Sequence, residues 1–133
     1  MGGGINATVE PTRNSLNEKL SRKGIERMQE ALRHGTTHME AKSGYGLDTE
    51  TELRLLSIGK QLSNLKGLPS LDLTWLGAHA APPKTSIESY CQEILSEQLP
   101  AVIEQGIARS ADVFCEPGSV SYTHLTLPTI LLV

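Results

Sequence analysis

Thr36-Thr37-His38-Met39-Glu40-Ala41-Lys42-Ser43-Gly44-Tyr45-Gly46-Leu47-Asp48-Thr49-Glu50-Thr51-Glu52 reads as a strand, a tight turn and the start of a helix. Residues 36–41 are few and rich in β-branched and apolar types, which suits a short strand. Thr49-Glu50-Thr51-Glu52 has the Thr-x-x-Glu spacing of a capping box, which satisfies orphan amides where a helix begins. Between them, glycines on both sides of Tyr45 relieve backbone crowding, so the phenol can be aimed into a cleft from a loop that needs unusual φ values. A charged side chain, a hydroxyl and an aromatic arrive together on one turn. That is the composition of a site rather than of a linker.

Working outward, the same α-then-β rhythm recurs on both sides. Ser15-Leu16-Asn17-Glu18 reads as a capping box that opens a helix over 15–34, with Leu16, Leu20, Ile25, Met28 and Leu32 as its apolar face and Gly35 as its left-handed stop. The helix that starts near Thr49 carries Leu55, Ile58, Leu62 and Leu65 and stops at Gly67. Pro69 then opens a strand, Leu71 to Leu76, that runs out into Gly77-Ala78-His79-Ala80. Thr85-Ser86-Ile87-Glu88 caps a third helix, with Tyr90, Ile94, Val102 and Ile103 among its apolar positions, Pro100 kinking or dividing it and Gly106 closing it. Ala111-Asp112-Val113-Phe114 is the next strand. Residues 1–14 are expected to be a loop, in which Pro11 fixes an extended or turn conformation ahead of the first helix.

Helices that alternate with short apolar strands predict an α/β fold with parallel strands and crossover helices. Ligands in such folds bind at the carboxyl ends of the strands. Three pieces occupy those ends: Lys42 to Tyr45, Gly77 to Pro83, and Cys115 to Gly118. Tyr45 can hydrogen-bond or stack on a ligand through a neutral phenol; the alternative is a loop tyrosine covering the rim. His79 can donate to a substrate oxygen, shuttle a proton or bind metal, since its unperturbed pKa is roughly 6.5; the alternative is a structural histidine. Lys42 and Ser43 either hold an anionic group or neutralise Glu40 and cap the turn, and for Lys42 the structural role is preferred. His34 and His38 are four apart, but Gly35 breaks the helix between them, so no site is assigned to them.

Composition narrows the classes further. At 133 residues, with 38% hydrophobic and 20% charged residues, the chain has the length and balance of one soluble globular domain. A net charge of -3 with scattered Lys and Arg gives no footprint for nucleic acid or an anionic membrane. Without a spanning run or the regions of a signal peptide at Met1-Gly2-Gly3-Gly4-Ile5, the expected location is the cytoplasm. Cys91 and Cys115 stand alone and are expected to be reduced packing residues. The chain has no His-x-His, His-Glu-x-x-His or Cys-x-x-Cys, no phosphate loop and no Gly-x-Ser-x-Gly, so metal binding by this chain's own residues is not expected.

Taken together in order, Gly2-Gly3-Gly4-Ile5, Thr8-Val9, Thr12-Arg13, Lys42 to Leu47, Glu50-Thr51-Glu52-Leu53, Gly77-Ala78-His79 and Asp112-Val113-Phe114-Cys115-Glu116 closely resemble imidazolonepropionase, the third enzyme of histidine degradation. The resemblance runs from Gly2 to about Gly118. It implies a metal-dependent amidohydrolase with a TIM-like (β/α)8 barrel, of which about three βα units would lie here, so that 1–118 reads as the central piece of a longer protein. It implies hydrolysis of the ring amide of 4-imidazolone-5-propanoate to N-formimidoyl-L-glutamate by water activated on zinc or iron. Tyr45 and His79 are then the substrate-contacting residues, His79 steadying the oxygen of the carbonyl under attack, while Lys42, Ser43 and Arg13 receive no role.

The resemblance further implies that the family's metal ligands and acid/base lie outside this chain, so the chain alone is expected to be inactive. It implies a small molecule as partner and allows a homodimeric parent. A non-catalytic α/β module that self-associates is the alternative from another class; a small nucleotide-binding protein is disfavoured by the missing phosphate motif. Val120-Ser121-Tyr122-Thr123-His124-Leu125-Thr126-Leu127-Pro128-Thr129 resembles the translated end of a transposase-type sequencing adapter. Residues 119–133 are therefore read as a tail foreign to the family, against a natural β-prone tail, and His124 is counted as a ligand on neither reading.

Overall fold

The computed structural model describes residues 6–114. In chain order these form α1 (Asn6–Arg13), α2 (Asn17–Arg33), β1 (His38–Lys42), α3 (Thr49–Ser63), β2 (Ser70–Ala78), α4 (Ile87–Glu93), a π-helical turn (Ile94–Gln98), α5 (Leu99–Gln105) and β3 (Ser110–Val113). The expectations for residues 1–5, for Cys115 to Gly118 and for 119–133 lie outside the described residues.

The three strands make one parallel sheet in the order β1-β2-β3, as the rhythm predicts. β1 pairs β2 from His38 with Ser70 through Lys42 with Thr74. β2 pairs β3 through Thr74 with Ser110 and Trp75 with Ala111, and resumes at Ala78 with Val113 after an irregularity. Period-two alternation gives the sheet two unlike faces. One carries Ala41, Leu71, Leu73, Trp75 and Val113 into a core with Leu56, Tyr90, Ile94 and Val102, while Met39 joins Met28, Ile58 and Leu62 in a second cluster. The other carries Glu40, Lys42, Thr74 and Asp112, joined by hydrogen bonds and ion pairs.

Helix packing on the apolar face requires close approach at two glycines. A Cβ on Gly59 would come within 2.7 Å of Leu73 Cδ2, and one on Gly24 within 2.5 Å of Leu62 Cδ1. Two of the expected stops hold: Gly35, directly after the His34 cap, and Gly106, itself a cap, have φ of 86° and 64°, the left-handed region open to glycine at little cost. The helix α3 instead ends early, at Ser63 with Asn64 as its cap, so that Leu65 and Gly67, at φ 78°, lie in the turn beyond it. Pro100 divides the last helix as expected. It has no N–H to give and its ring crowds the carbonyl four residues back, and the turn before it widens to the π form.

Several local expectations are corrected. Residues 6–13 are helical with Pro11 inside, not an extended loop. Val9 is fully buried in the core, and the Arg54 guanidinium donates to the carbonyls of Thr12, Arg13 and Ser15 at that helix's end, so tertiary contacts outweigh propensity. Ser15 does not cap α2; its hydroxyl donates to Pro11 O, and Leu16 takes the N-cap position without a side-chain bond. Asp48, not Thr49, caps α3, its Oδ1 accepting from Thr51 N at 2.7 Å. Ser86, not Thr85, caps α4. The apolar stripes are also only partly buried: Leu16, Leu32, Leu65 and Ile103 are exposed, Leu16 at 73%.

Candidate functional site at the carboxyl ends of β1 and β2

The loop after β1 is held from three directions. Ser43 N donates to Thr74 O and Leu76 N donates to Ser43 Oγ at 3.1 Å, which carries the β1–β2 pairing one residue past Lys42 and buries the serine. Arg13 comes from α1: its Nε donates to Gly46 O at 2.8 Å and lies 2.7 Å from Asp48 Oδ2, and its Nη2 donates to Leu47 O at 3.1 Å. The third hold is Glu52, from the first turns of α3 and 0% exposed. Its Oε2 accepts from Gly44 N at 2.6 Å, while Oε1 accepts from Gly46 N at 2.9 Å and Leu47 N at 3.0 Å. These contacts keep Leu47 in a left-handed conformation, φ 54°, that a leucine would otherwise avoid.

Tyr45 sits at the crest of this loop, 48% exposed, between two buried glycines. Beside it lies the β2 end. A Cβ added to Gly44 would meet Leu76 O at 2.5 Å and His79 Cε1 at 3.0 Å, so the two strand-end loops touch through a glycine that only a missing side chain allows.

His79 is 3% exposed. Its Nδ1 lies 2.7 Å from Leu76 O, and because a carbonyl only accepts, Nδ1 carries the hydrogen. That leaves Nε2 as the nitrogen for other chemistry: a lone pair when the ring is neutral, a donor when it is protonated. The ring packs edge-on against Phe114, just past β3, with centroids 5.6 Å apart and an interplanar angle of 77°. The strand beneath is held by α4, where the buried Tyr90 hydroxyl donates to Gly77 O at 2.9 Å and Gln98 Nε2 donates back to the phenol. Burial pushes the Tyr90 phenol well above its ordinary range.

The structure therefore sets Tyr45 and His79 on adjoining strand-end loops, the phenol exposed and the imidazole buried, and it gives Lys42, Ser43 and Arg13 definite work. Lys42 Nζ meets Asp112 Oδ2 at 2.5 Å and Glu40 Oε2 at 3.5 Å, tying β1 to β3 across Thr74. The hydrogen bond to Asp112 raises the lysine pKa, and the same bond, with the Val113 amide, lowers that of Asp112. His34 and His38 go apart as expected, to Glu30 and to Ser70 with Asp72. Among the described residues, no group of three or more His, Cys, Asp or Glu side chains could hold a metal ion, and no helix is long and apolar enough to cross a membrane. Cys91 is buried and free.

In sequence, Glu52 stands as a capping-box member and Tyr90 as an apolar stripe position. A signal for Glu52 did exist. Glycines that bracket an exposed aromatic leave turn amides without sheet or helix partners, and such amides need an acceptor from elsewhere.

No family model matches the chain. Among curated proteins it is 42% identical over 125 residues to the imidazolonepropionase of Caldanaerobacter subterraneus subsp. tengcongensis, covering 91% of this chain and 29% of that protein. The chain's curated relatives at 42–44% identity are imidazolonepropionases. That of Haloarcula marismortui is 43% identical over 122 residues, 90% of this chain and 28% of its own, and that of Shewanella sediminis 44% identical over 117 residues, 86% and 28%. The resemblance to the imidazolonepropionase family read from the motifs is thus shown, and the chain spans 28–29% of the length of these relatives.

Proposed function

We propose that this chain forms the substrate-facing part of an imidazolonepropionase-type hydrolase of histidine degradation, acting on the ring amide of 4-imidazolone-5-propanoate in the cytoplasm. The observation that supports this reading is the close packing of Gly44 against His79, which sets the Tyr45 loop beside the His79 loop at the carboxyl ends of β1 and β2. Similarity to imidazolonepropionases over about 90% of the chain supports the choice of substrate.

In this reading Tyr45 offers its phenol to hydrogen-bond or stack on the ligand. His79, anchored through Nδ1, offers Nε2: as an imidazolium it donates to the carbonyl oxygen under attack, and as neutral imidazole it accepts instead. The described residues do not fit the zinc or iron ion that the resemblance implies, since His79 already gives Nδ1 to Leu76 and no cluster of donors surrounds it. What the described residues offer the reaction is the pair of substrate contacts, Tyr45 and His79, the latter at the carbonyl oxygen under attack.

A (β/α)8 barrel is the architecture proposed around this sheet. Its support is that α2, α3 and the α4–α5 segment all pack on the apolar face, while among the described residues no helix packs on the face that carries the ion pairs; an open parallel sheet needs helices on both faces.

The test is a titration of the chain with imidazole-4-propanoate, followed through the resonances of the Tyr45 ring and the His79 imidazole. Saturable shifts at both, weakened in Tyr45→Phe and His79→Ala, are expected, as is no turnover of imidazolonepropionate by the chain alone. Ligand that leaves both rings unmoved would remove the reading. Self-association is a second reading. Exposed Leu16, Leu65, Ile103 and Phe114, together with outer edges of β1 and β3 that no described strand covers, favour it.

A further inference from the structure

We infer that Glu52 is the positioning residue for Tyr45: its carboxylate grips the loop amides on both sides of the tyrosine and so decides where the phenol points. This rests on the reading of Tyr45 as a substrate contact.

The geometry is that of a clamp. Oε2 takes the amide of Gly44, immediately before Tyr45, and Oε1 takes those of Gly46 and Leu47, immediately after it. Both oxygens are committed, and the whole side chain is 0% exposed. A buried carboxylate with no purpose would be replaced at a gain, because burying charge is costly unless hydrogen bonds compensate. Here the compensation comes entirely from the loop and from the amino-terminal turns of α3, whose dipole favours a negative group. The glycines supply what the clamp needs: Gly44, at φ 96°, and Gly46 can turn their amides inward, and a Cβ on Gly46 would collide with Thr51 Cγ2 at 2.3 Å. Tyr45 is thereby left as the residue whose backbone is pinned at both flanks while its side chain stands free of the core.

Chemistry distinguishes the carboxylate from its amide. In Glu52→Gln, the oxygen can serve Gly46 and Leu47 only if the amino group faces the Gly44 N–H, donor against donor. One flank of Tyr45 is then released while the other is kept.

The experiment uses the full chain and reads the order of the Tyr45 ring by 13C relaxation, with amide exchange at Gly44, Gly46 and Leu47. In the unaltered chain the ring should be more ordered than that of an unfolded tyrosine; a ring as mobile as in unfolded chain overturns the inference with no variant needed. Glu52→Gln should loosen the ring and speed exchange at Gly44 about tenfold or more, the scale for losing one buried hydrogen bond, while exchange at Leu73 and Trp75 stays unchanged. Unaltered ring order in a folded variant also overturns it. If Glu52→Gln does not fold, Glu52→Asp, which keeps the charge but shortens its reach, is read in the same way. A binding arm separates this inference from the functional reading. Tyr45→Phe should weaken imidazole-4-propanoate binding in the unaltered chain and change it less in the Glu52→Gln background. Ring order that depends on Glu52 without any ligand binding leaves the clamp standing and removes the substrate reading; binding with additive effects removes the clamp.

Discussion

Gly44 packs so closely on His79 that a single methyl group at Gly44 would lie 3.0 Å from the imidazole Cε1 and 2.5 Å from Leu76 O. Gly44→Ala must therefore push the two strand-end loops apart and, at φ 96°, also strain its own backbone. A loss of about 1–3 kcal/mol in chemical denaturation is expected. Changed His79 ring shifts should accompany it, and unchanged shifts would mean that the loops are not coupled there.

Arg13 binds two carbonyls and a carboxylate of the Tyr45 loop with a planar fork. Lysine keeps the charge but cannot reproduce the fork. Arg13→Lys and Arg13→Ala are therefore expected to lose similar stability, on the order of 1–2 kcal/mol. Full retention in the lysine variant, measured by urea unfolding, would show that charge alone suffices.

Tyr90→Phe deletes the hydroxyl that serves Gly77 O and leaves that carbonyl unpaired under the His79 loop. A cost of about 1–3 kcal/mol follows if no water takes the place. The pH dependence has a definite sign. Burial raises the phenol pKa above 10.0, so above pH 10 the unfolded chain loses the proton before the folded one, and stability falls as pH rises. Thermal unfolding between pH 9 and 11 should show this decline in the parent chain and a weaker one in Tyr90→Phe.

Lys42 and Asp112 titrate as partners at the surface. Asp112 has its pKa lowered from 3.8, chiefly by the lysine, so its contribution is present above that value and is lost as pH falls through the lower folded value. Lys42 is raised from 10.5, chiefly by the aspartate, so its contribution is complete below 10.5 and is lost as pH rises beyond. In Lys42→Met, the Asp112 carboxyl midpoint, followed by NMR, should climb toward 3.8 yet stay below it, since the Val113 amide still donates to the carboxylate. Added salt should shrink the difference between the two chains.

The outer edges of β1 and β3, which no described strand covers, and the exposed Ile103 and Leu16 predict self-association that grows with concentration. Sedimentation that gives one monomeric species over a hundredfold concentration range would contradict it.

Much of the fold follows from short-range chemistry, and that part was legible. Gly35 and Gly106 stop helices because glycine tolerates left-handed φ wherever it stands. Leu71, Leu73 and Trp75 alternate with Asp72 and Thr74 because successive strand side chains point to opposite faces. Pro100 divides its helix because its ring cannot accommodate the carbonyl four residues back. The positions of Tyr45 and His79 at strand ends belong to the same class, since the order of strands and loops fixes them.

Where local rules offered two uses for one residue, sequence chose wrongly. Ser15, Thr49 and Thr85 all fit a capping box, yet the caps are Leu16, Asp48 and Ser86. Glu52 fits a box as well, but its carboxylate goes to Gly44, Gly46 and Leu47 because the folded loop brings amides that nothing else satisfies. The helix over Asn6–Arg13 forms around Pro11 because Val9 reaches the core and Arg54 takes the exposed carbonyls. Apart from the helix over Asn6–Arg13, sequence by itself determined which segments are helix or strand, and that Tyr45 and His79 stand at the same end of a parallel sheet. Only the tertiary structure decided that Gly44 touches His79, that Glu52 clamps both sides of Tyr45, and that Lys42 reaches Asp112 across a strand. Those are choices among partners distant in the chain, and they are settled by which buried donors and acceptors the packed chain brings within reach.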